Sequence, residues 1–170
     1  LADSKPAKTD CRPSNALSHK QFRADLDFLI AQQTWRDSTA EQEQTVIKNL
    51  TAIKAYLDQQ VNQFNAGQQN IQLQPFEWKQ KREHTPTDPM EEYWLFGYRM
   101  GSEKQEEVTR LSLITHLDTV APGSAKDWET NKPFVVHEVN RPYKKKSIPF
   151  LVARGAIDDK GPGVIILSAL

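Results

Sequence analysis

The sequence predicts an α/β protein, a mixed sheet with helices on its faces. Three observations carry that expectation. Two long stretches in the first half repeat apolar residues at helical spacing. Three or four shorter stretches follow, aromatic-rich or alternating, each bounded by proline, glycine or charged clusters. Near the end, Gly161-Pro162-Gly163 leads into the apolar run Val164 to Leu170, the start of a buried helix.

Composition bounds the rest. The chain has 170 residues, about one domain, which is long enough to bury a core. Apolar residues make up 38% and charged residues 26%, as in ordinary soluble globular proteins. Lys plus Arg and Asp plus Glu are 22 each, so the net charge is zero and no basic excess recruits nucleic acid or anionic lipid. No apolar run approaches the roughly 20 residues of a membrane span. The lone Cys11 has no internal disulfide partner and reads as a free thiol. The opening Leu1-Ala2-Asp3-Ser4 resembles the remnant of leader cleavage after a small residue, a hint of export to the periplasm or beyond.

Residues 1–17 are polar, hold Pro6 and Pro13 and lack periodicity, so a flexible arm is expected, with 18–170 forming the folded portion. Ser18 to Gln21 fits a capping box, and Phe22, Leu26, Leu29 and Ile30 then form a helical stripe. A second helix is expected from Ser38, with Glu41 in its first turn. Its apolar face is Val46, Ile47, Leu50, Ile53, Leu57, Val61 and Phe64, and Gly67 is expected to end it at positive φ. Ile71, Leu73, Phe76 and Trp78 alternate around Pro75, which suggests an edge strand or a bulge. Residues 85–89 form a loop by composition, with His84 an exposed neighbour. Tyr93 to Met100 and Val108 to Thr115 are strand-like and read as a hairpin or as sheet neighbours, the second buried on both faces. The chain stops at Leu170 on an apolar turn without a cap, from which a fragment of a longer domain is expected.

Two segments carry chemistry. Leu111 to Val120 runs a strand into His116 and Asp118, and residues i and i+2 of a strand share a side. An imidazole there can bind a metal through one nitrogen while an acceptor holds the other. The same triplet also fits an imidazole satisfied by a local hydrogen bond. Ala153 to Pro162 sets Asp158 and Asp159 between Gly155 and Gly161, ahead of an apolar helix. A carboxylate in such a turn can bridge two metal ions, and an ordinary acidic turn with Lys160 as a solvated neighbour fits the same residues.

Together these segments resemble a known family. Thr115-His116-Leu117-Asp118-Thr119-Val120, then Trp128 and Pro133-Phe134, then Ala153-Arg154-Gly155-Ala156-Ile157-Asp158-Asp159-Lys160-Gly161-Pro162 is similar to the zinc exopeptidases. That family includes aminoacylases, carnosinase-type dipeptidases, glutamate-releasing carboxypeptidases and deacylases of amino-acid intermediates. The resemblance spans Leu111 to Gly163 and implies a phosphorylase/hydrolase-like catalytic domain, here incomplete. It implies two zinc ions and hydrolysis of an amide bond in a dipeptide, short peptide or N-acyl amino acid. His116 matches a zinc ligand, Asp118 the catalytic-site acid that clamps its imidazole, and Asp158 the carboxylate that bridges both metals. Asp159 matches the residue joined to the bridging acid by a cis peptide, and Lys160 and Gly161 match the turn without a ligand role. Trp128 and Phe134 match an aromatic pair, read here as packing beneath the loop.

The family's paired glutamates, further acidic ligand and distant histidine have no match here, and the resemblance places them beyond Leu170. His116 and Asp158 alone cannot hold two zincs, so little activity and weak zinc affinity are expected of these 170 residues alone. The spacing from His116 to Asp158 is longer than the family pattern, with the extra length at Glu138 to Phe150. Its Arg141, Lys144, Lys145 and Lys146 read as a solvated loop, and His137 as structural or exposed. The expected partner is a small peptide or acyl-amino-acid substrate, with a homodimer formed through a domain not present here. Three alternatives stand beside this reading. One is a related two-zinc aminopeptidase, against which Lys160-Gly161-Pro162 argues. The others are a non-catalytic binding or dimerisation module and an inactive fragment.

Overall fold

A computed structural model describes residues 19–36, 39–67, 72–81, 92–100 and 112–168. The expected arm at 1–17 with Cys11, the Ser18 cap, and His84 with its loop lie outside the described residues. Helix and antiparallel sheet combine in a roughly α/β arrangement. The single mixed sheet expected from the sequence is not what forms among the described residues. Two separate two-stranded antiparallel sheets stand in its place, with one isolated parallel bridge, Trp35 to Thr119.

Helix α1 spans His19–Ala31 and buries Leu26, Leu29 and Ile30, the spacing that makes one stripe. Asp25 lies buried beside them, accepting from Gln21 Nε2 at 2.7 Å and from the Tyr56 hydroxyl of the next helix. Helix α2 spans Ala40–Gly67, and its first turn is capped by Thr39, whose hydroxyl accepts from Gln42 N at 3.2 Å. The cap is therefore one residue later than Ser38. Val46, Leu50, Ile53 and Val61 are buried, whereas Ile47 is 40% exposed. One step along a helix turns about 100°, which carries Ile47 off the stripe that Val46 begins. Gly67 does not take the expected positive φ. The Asn65 side chain makes the connection instead, donating to Leu73 O at 2.9 Å and accepting from Leu73 N at 2.8 Å. It thus serves both backbone groups at the start of the next strand.

Strands β1 (Leu73–Lys81) and β2 (Glu92–Met100) pair antiparallel from Leu73 opposite Met100 to Lys81 opposite Glu92. The register runs through Pro75 opposite Tyr98 without a bulge, and β1 has β2 as its one sheet partner among the described residues. That is an edge position, where proline is tolerated. One face of this sheet meets α2: the Tyr98 hydroxyl donates to Asp58 at 2.7 Å, and Lys54 reaches Asp58 at 2.8 Å. The opposite face leaves Phe76, Trp78 and Leu95 exposed.

The strand expected at 108–115 is a correction. Its first four residues lie outside the described set, and 112–118 carries no ladder. Leu113 is 56% and Ile114 82% exposed, so this stretch is not a strand buried on both faces. Among the described residues, the neighbour that β2 takes is β1. Apolar composition alone does not create a pairing edge, and residues 117–119 find theirs at 34–35 instead.

The basic insert is a hairpin rather than a loop. Strands β3 (His137–Tyr143) and β4 (Lys146–Val152) pair in antiparallel register, and Lys144 and Lys145 turn the chain at φ 45° and 68°. Two consecutive left-handed residues match the twist of paired strands. The lysines remain in solvent, as their charge requires. Helix α3 (Lys160–Ser168) takes Gly161-Pro162-Gly163 into its first turn, where proline needs no amide hydrogen. It buries Val164 and leaves Ile165 60% exposed, so it is half-buried rather than buried all round. The core joins α1, α2, α3 and the start of the hairpin through Leu26, Leu29, Ile30, Ile53, Val136 and Val164. Among the described residues, no helix is long and apolar enough to cross a membrane.

Candidate metal centre

Residues 115–120 alternate inner and outer positions. Thr115, Leu117 and Thr119 are half-buried, while His116, Asp118 and Val120 face solvent. His116 and Asp118 thus share a side, as extended backbone demands. The inner side is anchored: Thr34 Oγ1 donates to Leu117 O, and Thr119 N donates to Thr34 O at 3.4 Å.

The second segment is a tight turn between β4 and α3. Gly155 sits at φ 84°, and a Cβ there would stand 2.9 Å from Thr119 Cγ2. At Gly161 a Cβ would stand 2.0 Å from the Ala156 carbonyl oxygen. Glycine at both positions lets the turn fold back on itself, and Lys160 N closes it on Gly155 O at 3.0 Å. The peptide between Asp158 and Asp159 is cis, as the resemblance implies.

These two segments meet. His116 Nε2 lies 2.9 Å from Asp158 Oδ1, a contact across 42 positions of sequence. On the other side of the ring, Nδ1 lies 3.0 Å from the Asp118 backbone carbonyl and 3.4 Å from its carboxylate. The sequence assigned the imidazole clamp to the Asp118 side chain. The closer partner is the same residue's carbonyl, with the carboxylate behind it. Asp159 turns inward: its carboxylate accepts from Thr115 Oγ1 at 2.8 Å and faces His116 N at 3.4 Å, so it joins the segments from within.

Both ring nitrogens of His116 therefore face oxygen acceptors. A neutral imidazole carries one N–H and can satisfy one side only. Burial works against a charged ring, but the Asp118 carbonyl and the Asp158 carboxylate outweigh it and hold the His116 pKa above its ordinary value. A proton or a divalent cation between Nε2 and Asp158 resolves the conflict equally well. Imidazole nitrogen and carboxylate oxygen are both zinc donors, so these two groups are of a kind that ion takes. Two such ligands around a tetrahedral zinc stand about 3.4 Å apart, so the pair has to open by about half an ångström. Zinc sites take three or four protein ligands. Among the described residues, no three His, Cys, Asp or Glu side chains are grouped to hold a metal.

Lys160 departs most from its sequence reading. As a solvated neighbour of two acids it would face water, yet it is fully buried, and its Nζ donates to Gln32 O at 2.6 Å. Burial pushes its pKa down to about 8, opposed by the charge of Asp118. The remaining candidates lie apart from the pair. Trp128 packs beneath the loop, its Nε1 donating to Pro122 O at 2.9 Å and its ring under the Arg154 guanidinium at 5.0 Å. Phe134 is half-buried. His137 Nε2 is held locally by Thr130 Oγ1 and, at 3.3 Å, by Lys132 O. Comparison with known proteins adds no relative: no family model, curated protein or solved structure matches the chain.

Proposed function

We propose that this chain carries part of a two-zinc centre that hydrolyses an amide bond in a dipeptide, short peptide or N-acyl amino acid, within a zinc-exopeptidase-like catalytic domain. The observation that carries the reading is the approach of His116 Nε2 to Asp158 Oδ1 at 2.9 Å, with Nδ1 held from behind by Asp118. Bound zinc supplies a water of lowered pKa and polarises the scissile carbonyl.

The chain's own residues have narrower tasks. His116 would hold one zinc through Nε2, because the Asp118 carbonyl takes the hydrogen on Nδ1 and so fixes the tautomer. Asp158, whose side chain is 83% exposed and whose Oδ1 faces His116 Nε2, would be the carboxylate that holds both ions. Asp159 holds Thr115 and His116 in line through bonds from Thr115 Oγ1 and His116 N. The remaining ligands, the proton-shuttling glutamate and any dimerising domain come from outside the described residues.

The test is zinc content after loading and dialysis, for the longest natural chain that contains these residues. His116→Ala and Asp158→Asn are expected to lose zinc and, with it, hydrolysis of dipeptides and N-acyl amino acids. A His116→Ala protein that kept all its zinc would contradict the assignment.

A further inference from the structure

The short stretch between α1 and α2 reaches both halves of the candidate centre. Four successive carbonyls in it, from Gln32 to Trp35, are each taken by a different donor. Gln32 O accepts from Lys160 Nζ at 2.6 Å, and Gln33 O from Asn49 Nδ2 at 2.7 Å. Thr34 O accepts from Thr119 N at 3.4 Å, and Trp35 O from Gln42 Nε2 at 2.8 Å. Asn49 and Gln42 stand on α2. The helix therefore fixes this rail from one side, and the rail fixes the metal-bearing segments from the other. Thr34 Oγ1 adds a bond to the carbonyl of Leu117, the residue between His116 and Asp118. Lys160 follows Asp158 by two positions.

We infer that Thr34 and Lys160 are positioning residues: they tie the His116 segment and the Asp158 segment to one rail and so set the separation of those two side chains. Both are fully buried and donate to backbone carbonyls, so they act through the backbone. The functional meaning rests on the zinc reading above, whereas the geometric part stands without it. An ammonium buried against one carbonyl acceptor among the described residues is a costly way to fill space. Methionine has a similar length and no charge, and apolar replacement of buried ionic groups is often neutral for stability. What the ammonium adds is a directed bond to Gln32 O. The same comparison holds for Thr34 and valine, which share a shape but not a hydroxyl.

Lys160→Met and Thr34→Val separate positioning from mere packing. Three measurements are made on each variant and on the parent: thermal unfolding, Zn²⁺ affinity by calorimetry, and the crystal structure without zinc. Each variant is expected to unfold within a few degrees of the parent. Zn²⁺ affinity should fall about 10- to 100-fold, the usual loss when a support behind a ligand is removed. In the zinc-free crystals, His116 Nε2 and Asp158 Oδ1 should move beyond hydrogen-bond distance. An unchanged separation in both variants overturns the inference, as does an affinity loss that merely tracks lost stability. The parent is the longest natural chain that contains these residues; if it binds no zinc, the zinc reading fails, and the separation in the crystals alone decides the positioning claim. If Lys160→Met does not fold, Thr34→Val carries the same decision.

Discussion

Gly161→Ala sets two effects of opposite sign against each other at one carbon atom. Gly161 lies in the first turn of α3, where alanine is the better helix former by about 0.5–1 kcal/mol. Propensity alone makes the variant more stable. The structure says otherwise, because the added Cβ would stand 2.0 Å from the Ala156 carbonyl oxygen. That partner is backbone and cannot rotate aside, so the turn has to open by more than about an ångström to restore a normal contact. Overpacking of this kind costs about 1–3 kcal/mol. Opening the turn also weakens the bond from Lys160 N to Gly155 O, worth about 1 kcal/mol. Sterics exceed propensity, and a net loss of about 1–3 kcal/mol is expected. Gly163→Ala is the internal control. It lies in the same helix, but its Cβ would meet Thr115 Cγ2 at 3.4 Å, a contact the methyl can relieve. That variant should be neutral or slightly stabilised. Urea unfolding of the two variants and the parent measures the difference. A Gly161→Ala protein as stable as Gly163→Ala would refute the geometry assigned to the turn.

Three further outcomes follow from other parts of the fold. Ile53, fully buried, and Ile47, 40% exposed, lie on one helix, so Ile53→Ala should cost about 2–5 kcal/mol and Ile47→Ala far less. Equal losses in chemical denaturation would sink the helix orientation. Burial works against the Asp58 carboxylate, but bonds from Lys54 and Tyr98 prevail and hold its pKa below the ordinary value. A carboxylate depressed on folding contributes stability above its unfolded pKa of about 3.9, and that contribution is lost as pH falls through the lower folded value. Asp58→Asn should therefore flatten the acid limb of the stability curve, and parallel curves for parent and variant would exclude the bond network as its cause. At the β3–β4 tip, Lys144→Asn with Lys145→Gly suits two left-handed positions better than the two lysines. The double variant should unfold later, by about 1–2 kcal/mol in stability, and an earlier transition would contradict the turn conformation.

What the sequence made legible was local. The stripes of α1 and α2 were readable because burial and helical period reinforce each other at Leu26, Leu29, Ile30, Leu50 and Ile53. The edge character of β1 was readable from Pro75, whose missing amide hydrogen restricts where a strand can lie. The described part of the strand expected at 108–115, from residue 112 on, was misread because an apolar run reports burial potential and not partners. Leu113 and Ile114 have the composition of a central strand and the exposure of a surface one. The basic insert was misread for the converse reason. Charge predicted its solvation correctly, but backbone pairing from His137 to Val152 does not depend on side-chain polarity.

The candidate centre divides along the same line. That His116 and Asp118 share a side follows from the two-residue period of extended chain, and the glycines flanking Asp158 signal a tight turn. The approach of His116 to Asp158 was expected only through the resemblance, since no local rule links residues so far apart. Lys160 and Thr34 escaped even that. Their partners are the carbonyl oxygens of Gln32 and Leu117, and a backbone acceptor is the same atom whatever residue carries it. Motif reading is blind to bonds of this kind. Burial exposes them, because a polar side chain removed from water has to be satisfied somewhere. The buried polar side chains among the described residues are Asp25, Thr34 and Lys160, and each closes a bond to a different element: to Tyr56 on α2, to Leu117 beside His116, and to Gln32 at the end of α1. Two of the three converge on one stretch of four residues. It is that convergence, rather than any feature of the motif, that ties the two halves of the centre together.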